Sequence, residues 1–186
     1  LMLLTLKGTP FIYYGEEIGL KESRLPRHLL QDTVGLKWYP FYRGRDGART
    51  PMQWDSSPGA GFTGGKPWLP VGPQVEQRNV SSQDGDPGSL LNFYRRLIWL
   101  RKQSPALSHG SFNLLTGEPD RCFVYRRESG SQSILVALNF SGFSHTVNFR
   151  QPGELRRVLF STDPGRERTA ATSTLTLGPY EGCLLE

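Results

Sequence analysis

With 37% hydrophobic and 21% charged residues over 186 positions, the chain has the balance of a globular protein and room for one ordinary domain or two small ones. No apolar run approaches the ~18 residues of a membrane span, so no membrane segment is expected in it. The formal charge of +5 comes from scattered basic residues, with Arg95-Arg96, Arg126-Arg127 and Arg156-Arg157 expected on separate solvated faces; a nucleic-acid partner needs one basic stripe and is not expected.

In chain order, Leu1-Met2-Leu3-Leu4-Thr5-Leu6 is apolar from the first residue, without an initiator Met or the basic start of a leader. It reads as the tail of a buried element, and the expectation is that the protein continues upstream of Leu1. Localisation is then unreadable, with the cytoplasm as the default expectation. Gly8-Thr9-Pro10-Phe11-Ile12-Tyr13-Tyr14-Gly15 is a short apolar and aromatic run between glycines, the pattern of a buried parallel strand. From Glu16 to Gly88 the chain is dense in Gly, Pro, Asp and Trp without a sustained period, which predicts a long loop. Trp38, Trp54 and Trp68 argue that this loop is ordered, with the tryptophans as the anchors that pack it down.

Asp86-Pro87 then places an N-cap residue before a proline, and the spacing predicts a helix over Ser89 to Lys102, ended by Pro105. Leu90, Tyr94, Leu97 and Ile98 form its apolar stripe. From Gly110 onward the pattern changes to β-type runs: Ser111 to Leu115, Cys122 to Arg127, Ile134 to Asn139, His145 to Phe149, Leu155 to Ser161, Thr174 to Leu177 and Gly182 to Leu185. Turn signals at Glu118-Pro119-Asp120, Ser129-Gly130-Ser131, Gln151-Pro152-Gly153 and Asp163-Pro164-Gly165 divide them, so a sandwich is expected.

Chemistry-bearing residues are sparse. Cys122 and Cys183 lack CxxC spacing and are read as small core residues rather than a disulfide, metal or redox pair. His28, His109 and His145 show no ligand spacing, so no metal site is expected. The sequons Asn79-Val80-Ser81 and Asn139-Phe140-Ser141 are assigned no role.

The run Gly8 to Gly19, with its G-x-P-x-x-x-x-G-x-E pattern, resembles the eighth barrel strand of the α-amylase superfamily of glycoside hydrolases (glycoside hydrolase family 13). Gly44-Arg45-Asp46-Gly47-Ala48-Arg49-Thr50-Pro51-Met52-Gln53-Trp54-Asp55 resembles the loop after that strand in the α-glucosidase and oligo-1,6-glucosidase branch. Ala60-Gly61-Phe62-Thr63, Pro67-Trp68-Leu69-Pro70-Val71 and the closing Pro179-Tyr180-Glu181-Gly182 continue the likeness.

The resemblance implies an α/β plus all-β fold class. Residues 1–106 would be the C-terminal end of a (β/α)8 TIM barrel, with its last strand, long loop and last helix, and 107–186 a small antiparallel β-sandwich. It implies a C-terminal fragment of a retaining α-glucosidase acting on terminal α-1,4 or α-1,6 bonds of small oligosaccharides. The catalytic Asp, Glu and Asp would follow the fourth, fifth and seventh strands, upstream of this chain, so no catalytic residue and no cofactor is expected within it. The alternatives are a trehalose synthase, a trehalose-6-phosphate hydrolase, or the catalytically dead heavy chain of an amino-acid transporter.

By the same resemblance Arg49 reaches the glucose pocket; a guanidinium's planar fork of donors suits sugar hydroxyls. Arg45, Asp46 and Trp54 are further residues of the active-site loop, with Arg45 weighed more as a brace and Asp46 as the partner of either arginine. Trp54 and Trp68 are weighed between sugar stacking and packing. Tyr13 and Tyr14 are read as packing residues, and Glu17 as a buried structural partner.

Overall fold

The computed structural model describes residues 1–115, 121–148, 156–171 and 173–186. They form two compact units, one of Phe11–Arg95 and one of Leu1–Pro10 with Arg96–Glu186.

The second of these is built on strands β1 (Ser111–Leu114), β2 (Cys122–Ser129), β3 (Gln132–Asn139), β4 (His145–Asn148), β5 (Arg156–Ser161), β6 (Ala170–Ala171), β7 (Thr174–Leu177) and β8 (Gly182–Leu185). Six of them make a sheet in the order β1-β2-β3-β8-β5-β6, and β4 pairs with β7 in a second sheet. β2 and β3 are joined by the two-residue turn Gly130-Ser131, where Gly130 takes φ 57° at no steric cost. Strand β3 is buried from Ile134 to Asn139 because β2 and β8 flank it in the sheet and side chains cover both of its faces.

On one face, Leu135 and Ala137 of β3 and Cys183 and Leu185 of β8 meet Val147 of β4 and Leu175 and Leu177 of β7, which closes the sandwich core. Burying each such aliphatic side chain is worth about 1.5–3 kcal/mol. Cys122 and Cys183 both pack in this core and form no disulfide, and burial pushes the Cys183 thiol up to about 12. Helix α4 (Pro105–Ser108) packs on β2 and β3, with Ser104 as its N-cap accepting from the Leu107 amide at 3.2 Å.

All seven expected strands are present, and the additional β6, two residues long, is too short to show a period. The expected ends at Phe149 and Leu155, and the turns at Glu118-Pro119-Asp120 and Gln151-Pro152-Gly153, lie outside the described residues. The expectation that the arginine pairs sit on solvated faces fails for Arg127 and Arg156, which are 0% and 4% exposed. Arg127 donates to the carbonyls of Thr5 (2.6 Å), Ser111 (2.9 Å) and Gly110 (3.2 Å). Arg101 likewise donates to the carbonyls of Leu4 (2.9 Å), Leu6 (3.1 Å) and Gly8 (2.6 Å). The two cations therefore satisfy the backbone of the first residues, where Leu4 and Thr5 are buried and Thr5 Oγ1 also bonds the Tyr125 hydroxyl, while Met2 and Leu3 are exposed.

In the unit of Phe11–Arg95 the expected strand is absent. Gly8–Gly15 has no ladder partner, and Phe11 is 83% and Tyr13 50% exposed. A strand is defined by its neighbours, and among the described residues this unit has no other β segment to pair with it. The run ends instead in a turn at Gly15 (φ 87°), where a β-carbon would meet the Leu20 side chain at 2.7 Å.

The stretch expected as loop contains helices α1 (Thr33–Trp38) and α2 (Val80–Asp84), with short 3-10 turns at Glu16–Ile18, Arg27–Leu29, Asp46–Ala48 and Pro58–Gly61. Its packing comes from aliphatic side chains. Ile18, Met52 and Leu91 form one cluster, and Leu25, Leu30 and Leu69 form another. The tryptophans are not the anchors: Trp38, Trp54 and Trp68 are 57%, 51% and 60% exposed.

Helix α3 (Leu90–Gln103) begins one residue later than expected. Its cap is Ser89, whose Oγ accepts from the Asn92 amide at 3.2 Å, while Asp86 instead holds the turn before it by accepting from Gly88 at 2.9 Å. Leu91, Leu97 and Arg101 are its buried positions, and Leu90, expected in the stripe, is 40% exposed. No helix among the described residues is long and apolar enough to cross a membrane.

Candidate active-site cavity

A cavity of about 470 Å³ opens in the unit of Phe11–Arg95. Its apolar wall is Pro51, Met52, Trp54, Phe62, Trp68 and Leu69, and its polar groups come from Tyr14, Glu17, Arg49 and Thr50.

The charged edge is set by two aspartates. Asp32 precedes α1 and caps it, Oδ1 accepting from the Val34 amide at 3.0 Å, while Oδ2 accepts from both the amide and Nε of Arg45 at 3.0 Å. Asp46, fully buried in the turn Asp46–Ala48, accepts from the amides of Gln31 (2.6 Å) and Asp32 (2.8 Å) on Oδ2 and from Nη2 of Arg49 (2.5 Å) on Oδ1. The Arg45 guanidinium hydrogen-bonded to Asp32, with the Arg45 and Val34 amides, holds its carboxyl down to about 2. Burial alone raises the Asp46 carboxyl, but the Asp32 and Gln31 amides and Arg49 outweigh it and leave it below the ordinary range. Both are therefore anionic braces at neutral pH, and neither holds a proton to give.

Arg49 is thus pinned at one end of its fork, with Asp32 also 3.7 Å away. Its guanidinium carbon stands 5.3 Å from the centre of the Trp68 ring, and its side chain remains 30% exposed toward the cavity. Nε of Arg49 and Oε2 of Glu17 are buried without a hydrogen-bond partner. The turn Glu16–Ile18 carries Glu17 into the lining, and the Tyr14 hydroxyl, donating to the Thr50 carbonyl at 2.9 Å, ties that turn's approach to the opposite wall. Burial, followed by the neighbouring Tyr13, raises the Tyr14 phenol, which keeps it a neutral donor. Trp54 is held to the Pro58–Gly61 turn by its amide donating to the Ala60 carbonyl at 2.9 Å.

Of the residues singled out from the sequence, Arg49 and Trp54 line the cavity, whereas Arg45 and Asp46 lie behind it as partners of Asp32 and Arg49. Glu17, expected as a buried structural partner, lines the cavity with one carboxylate oxygen unpaired, and Tyr14, expected as packing, is 39% exposed there. Asp32 was missed, although an Asp directly before Thr33-Val34-Gly35-Leu36-Lys37-Trp38 is an N-cap signal. Phe62 and Leu69 carry no such local signal. Asn79 and Asn139, the sequon residues, are both buried; Asn79 caps α2 by accepting from Ser82 at 2.7 Å. Among the described residues no group of three His, Cys, Asp or Glu side chains could hold a metal ion.

Residues 1–110 match the family model for the catalytic domain of alpha amylase. The chain belongs to the α-amylase family of glycoside hydrolases. Within the family it is 36% identical to the oligo-1,6-glucosidase of Halalkalibacterium halodurans over 200 residues, covering 97% of this chain and 35% of that protein. It is 42% identical to the probable oligo-1,6-glucosidase 2 of Bacillus subtilis over 156 residues, covering 73% and 28%. The structure superimposes on the trehalulose synthase of Pseudomonas mesoacidophila MX-45 with a TM-score of 0.85 at 30% identity, over 99% of this chain and 36% of that one. Among the described residues the chain forms a mixed helical unit and a sandwich-like pair of sheets and no closed barrel, and it spans about a third of the length of the relatives it matches.

Proposed function

We propose that this chain is the C-terminal portion of a retaining α-glucosidase that hydrolyses terminal α-1,4 and α-1,6 glucosidic bonds of small oligosaccharides, and that its cavity is one wall of the sugar pocket. In this reading residues 1–106 end a (β/α)8 barrel whose catalytic mouth gathers the loops after each strand. The nucleophile and the acid/base, carboxylates about 5–5.5 Å apart in a retaining enzyme, are contributed from upstream. The observation that carries the reading is Arg49, a cation held by Asp46 beside an exposed Trp68 at the edge of an aromatic-walled cavity. Apolar ring faces with a few fixed polar groups match a pyranose, which has apolar faces and equatorial hydroxyls. The identities of 36% and 42% to oligo-1,6-glucosidases support the same bond class.

The likeness to a trehalulose synthase, at a TM-score of 0.85, favours a second reading in which the glucosyl group is passed to another sugar instead of to water. Product analysis of the full-length protein on isomaltose, maltose and sucrose separates the two. Free glucose as the main product from isomaltose supports hydrolysis; a new disaccharide from sucrose with little free glucose supports isomerisation. No turnover of any of the three removes both.

A further inference from the structure

The guanidinium of Arg49 is held from the side-chain end, by Asp46 at 2.5 Å and with the Trp68 ring against it. A side chain is only as well placed as the backbone that carries it, and regular structure fixes the backbone of Arg49 on one side alone. Before it, the turn Asp46–Ala48 closes with the Arg49 amide donating to the Asp46 carbonyl at 3.0 Å and the Ala48 amide donating to the Arg45 carbonyl at 3.1 Å. After it, Thr50-Pro51-Met52 belongs to no helix or strand, and Pro51 has no amide hydrogen with which to anchor the chain.

Tyr14 supplies the second anchor. Its hydroxyl donates to the Thr50 carbonyl at 2.9 Å and stands 3.5 Å from the Ala48 carbonyl, so one oxygen rests against the carbonyls on both sides of Arg49. The ring lines the same cavity as Arg49, is 39% exposed there, and lies 4.8 Å from the ring of Tyr13. A tyrosine that only filled space would have no use for its hydroxyl. A hydroxyl has one proton to give, and this one is given to the cavity wall, so Tyr14 is not free to donate to a ligand.

We infer that Tyr14 is a positioning residue that acts through Arg49: its hydroxyl fixes the peptide after Arg49, as Asp46 fixes the guanidinium, and so sets where that cation meets its ligand. This rests on the reading of the cavity as part of a glucosyl pocket, and it adds the residue that aims the pocket's cation.

The test is a double-mutant cycle on the full-length protein, with kcat/KM on isomaltose measured for wild type, Tyr14→Phe, Arg49→Lys and the double variant. Phenylalanine keeps the ring beside Tyr13 and removes only the hydroxyl. Tyr14→Phe is expected to lower kcat/KM roughly 5- to 10-fold, the scale of one hydrogen bond. In the Arg49→Lys background the same change is expected to cost less than about twofold, because the guanidinium that it aims is gone. An equal factor in both backgrounds makes Tyr14 a brace of the fold and nothing more, and a Tyr14→Phe enzyme within about twofold of wild type makes its hydroxyl dispensable. Either result overturns the inference, while a fall caused by Arg49→Lys in the same series leaves the pocket reading standing. No turnover by wild type, or no effect of Arg49→Lys, removes the pocket reading and the inference with it.

Discussion

Asp32 and Asp46 do at the residue scale what the long stretch around them lacks in regular structure. Asp46 gathers the Gln31 and Asp32 amides and Arg49, and Asp32 gathers the Val34 and Arg45 amides, Arg45 and, at 3.7 Å, Arg49, so the cavity-facing Arg49 is held by a carboxylate three residues away that amides from the segment before α1 hold in turn. This has a pH consequence. Asp32 is held at about 2 against an ordinary 3.8, so the unfolded chain takes up its proton first as acid is added. A group depressed in the folded state contributes stability that is fully present above the unfolded value and is lost as pH falls through the folded one. The stability of the unit of Phe11–Arg95 therefore falls between pH 3.8 and about 2, with Asp46 shifted in the same direction. Acid titration followed by tryptophan fluorescence reads this; Asp32→Asn flattens the profile in that window, and an unchanged profile refutes the role given to Asp32. Arg45 and Arg49 could be singled out from the sequence by resemblance, but their bracing by Asp32 could not, because the links from residue 32 to residues 45 and 49 are made in space.

At the scale of elements, the sandwich was legible because alternation and turn residues are local signals, and β2, β3 and β8 lie where the pattern placed them. The run Gly8–Gly15 was misread as a strand for the opposite reason: its composition is strand-like, but pairing depends on segments elsewhere, and none of them is in this unit. The buried arginines are a further feature that local pattern hides. Arg127 sits at an inward position of β2, where an apolar residue is the usual choice, because the carbonyls of Thr5, Gly110 and Ser111 need donors. Arg127→Met keeps the bulk and strands those carbonyls, each at a cost of about 1–3 kcal/mol, so a loss of at least about 3 kcal/mol is expected in urea unfolding of the full-length protein. A change below about 1 kcal/mol means that the carbonyls find other donors and that Arg127 is not what holds the first residues.

For the whole molecule, the exposed aromatics and the unpaired run at residues 8–15 are the parts that a barrel would cover in the proposed reading. The 186-residue chain expressed by itself is accordingly expected to be poorly soluble and to show no glucosidase turnover. Turnover by that chain places catalytic carboxylates within it and overturns the assignment of them to upstream strands. In the proposed reading, co-expression with the segment that carries the other barrel strands is expected to restore solubility by covering the exposed faces.

The central claim is that the Arg49 cavity binds the glucosyl group, and the most direct measurement is kcat/KM of the full-length protein on isomaltose for wild type and Arg49→Lys. Lysine keeps the charge but loses the planar fork that holds Asp46 and, in the proposed reading, a sugar hydroxyl, so a fall of roughly 10²-fold is expected with Tm nearly unchanged. An Arg49→Lys enzyme that matches wild type within about twofold, near the scatter of such comparisons and far below the ~1.4 kcal/mol of a tenfold change, contradicts the claim.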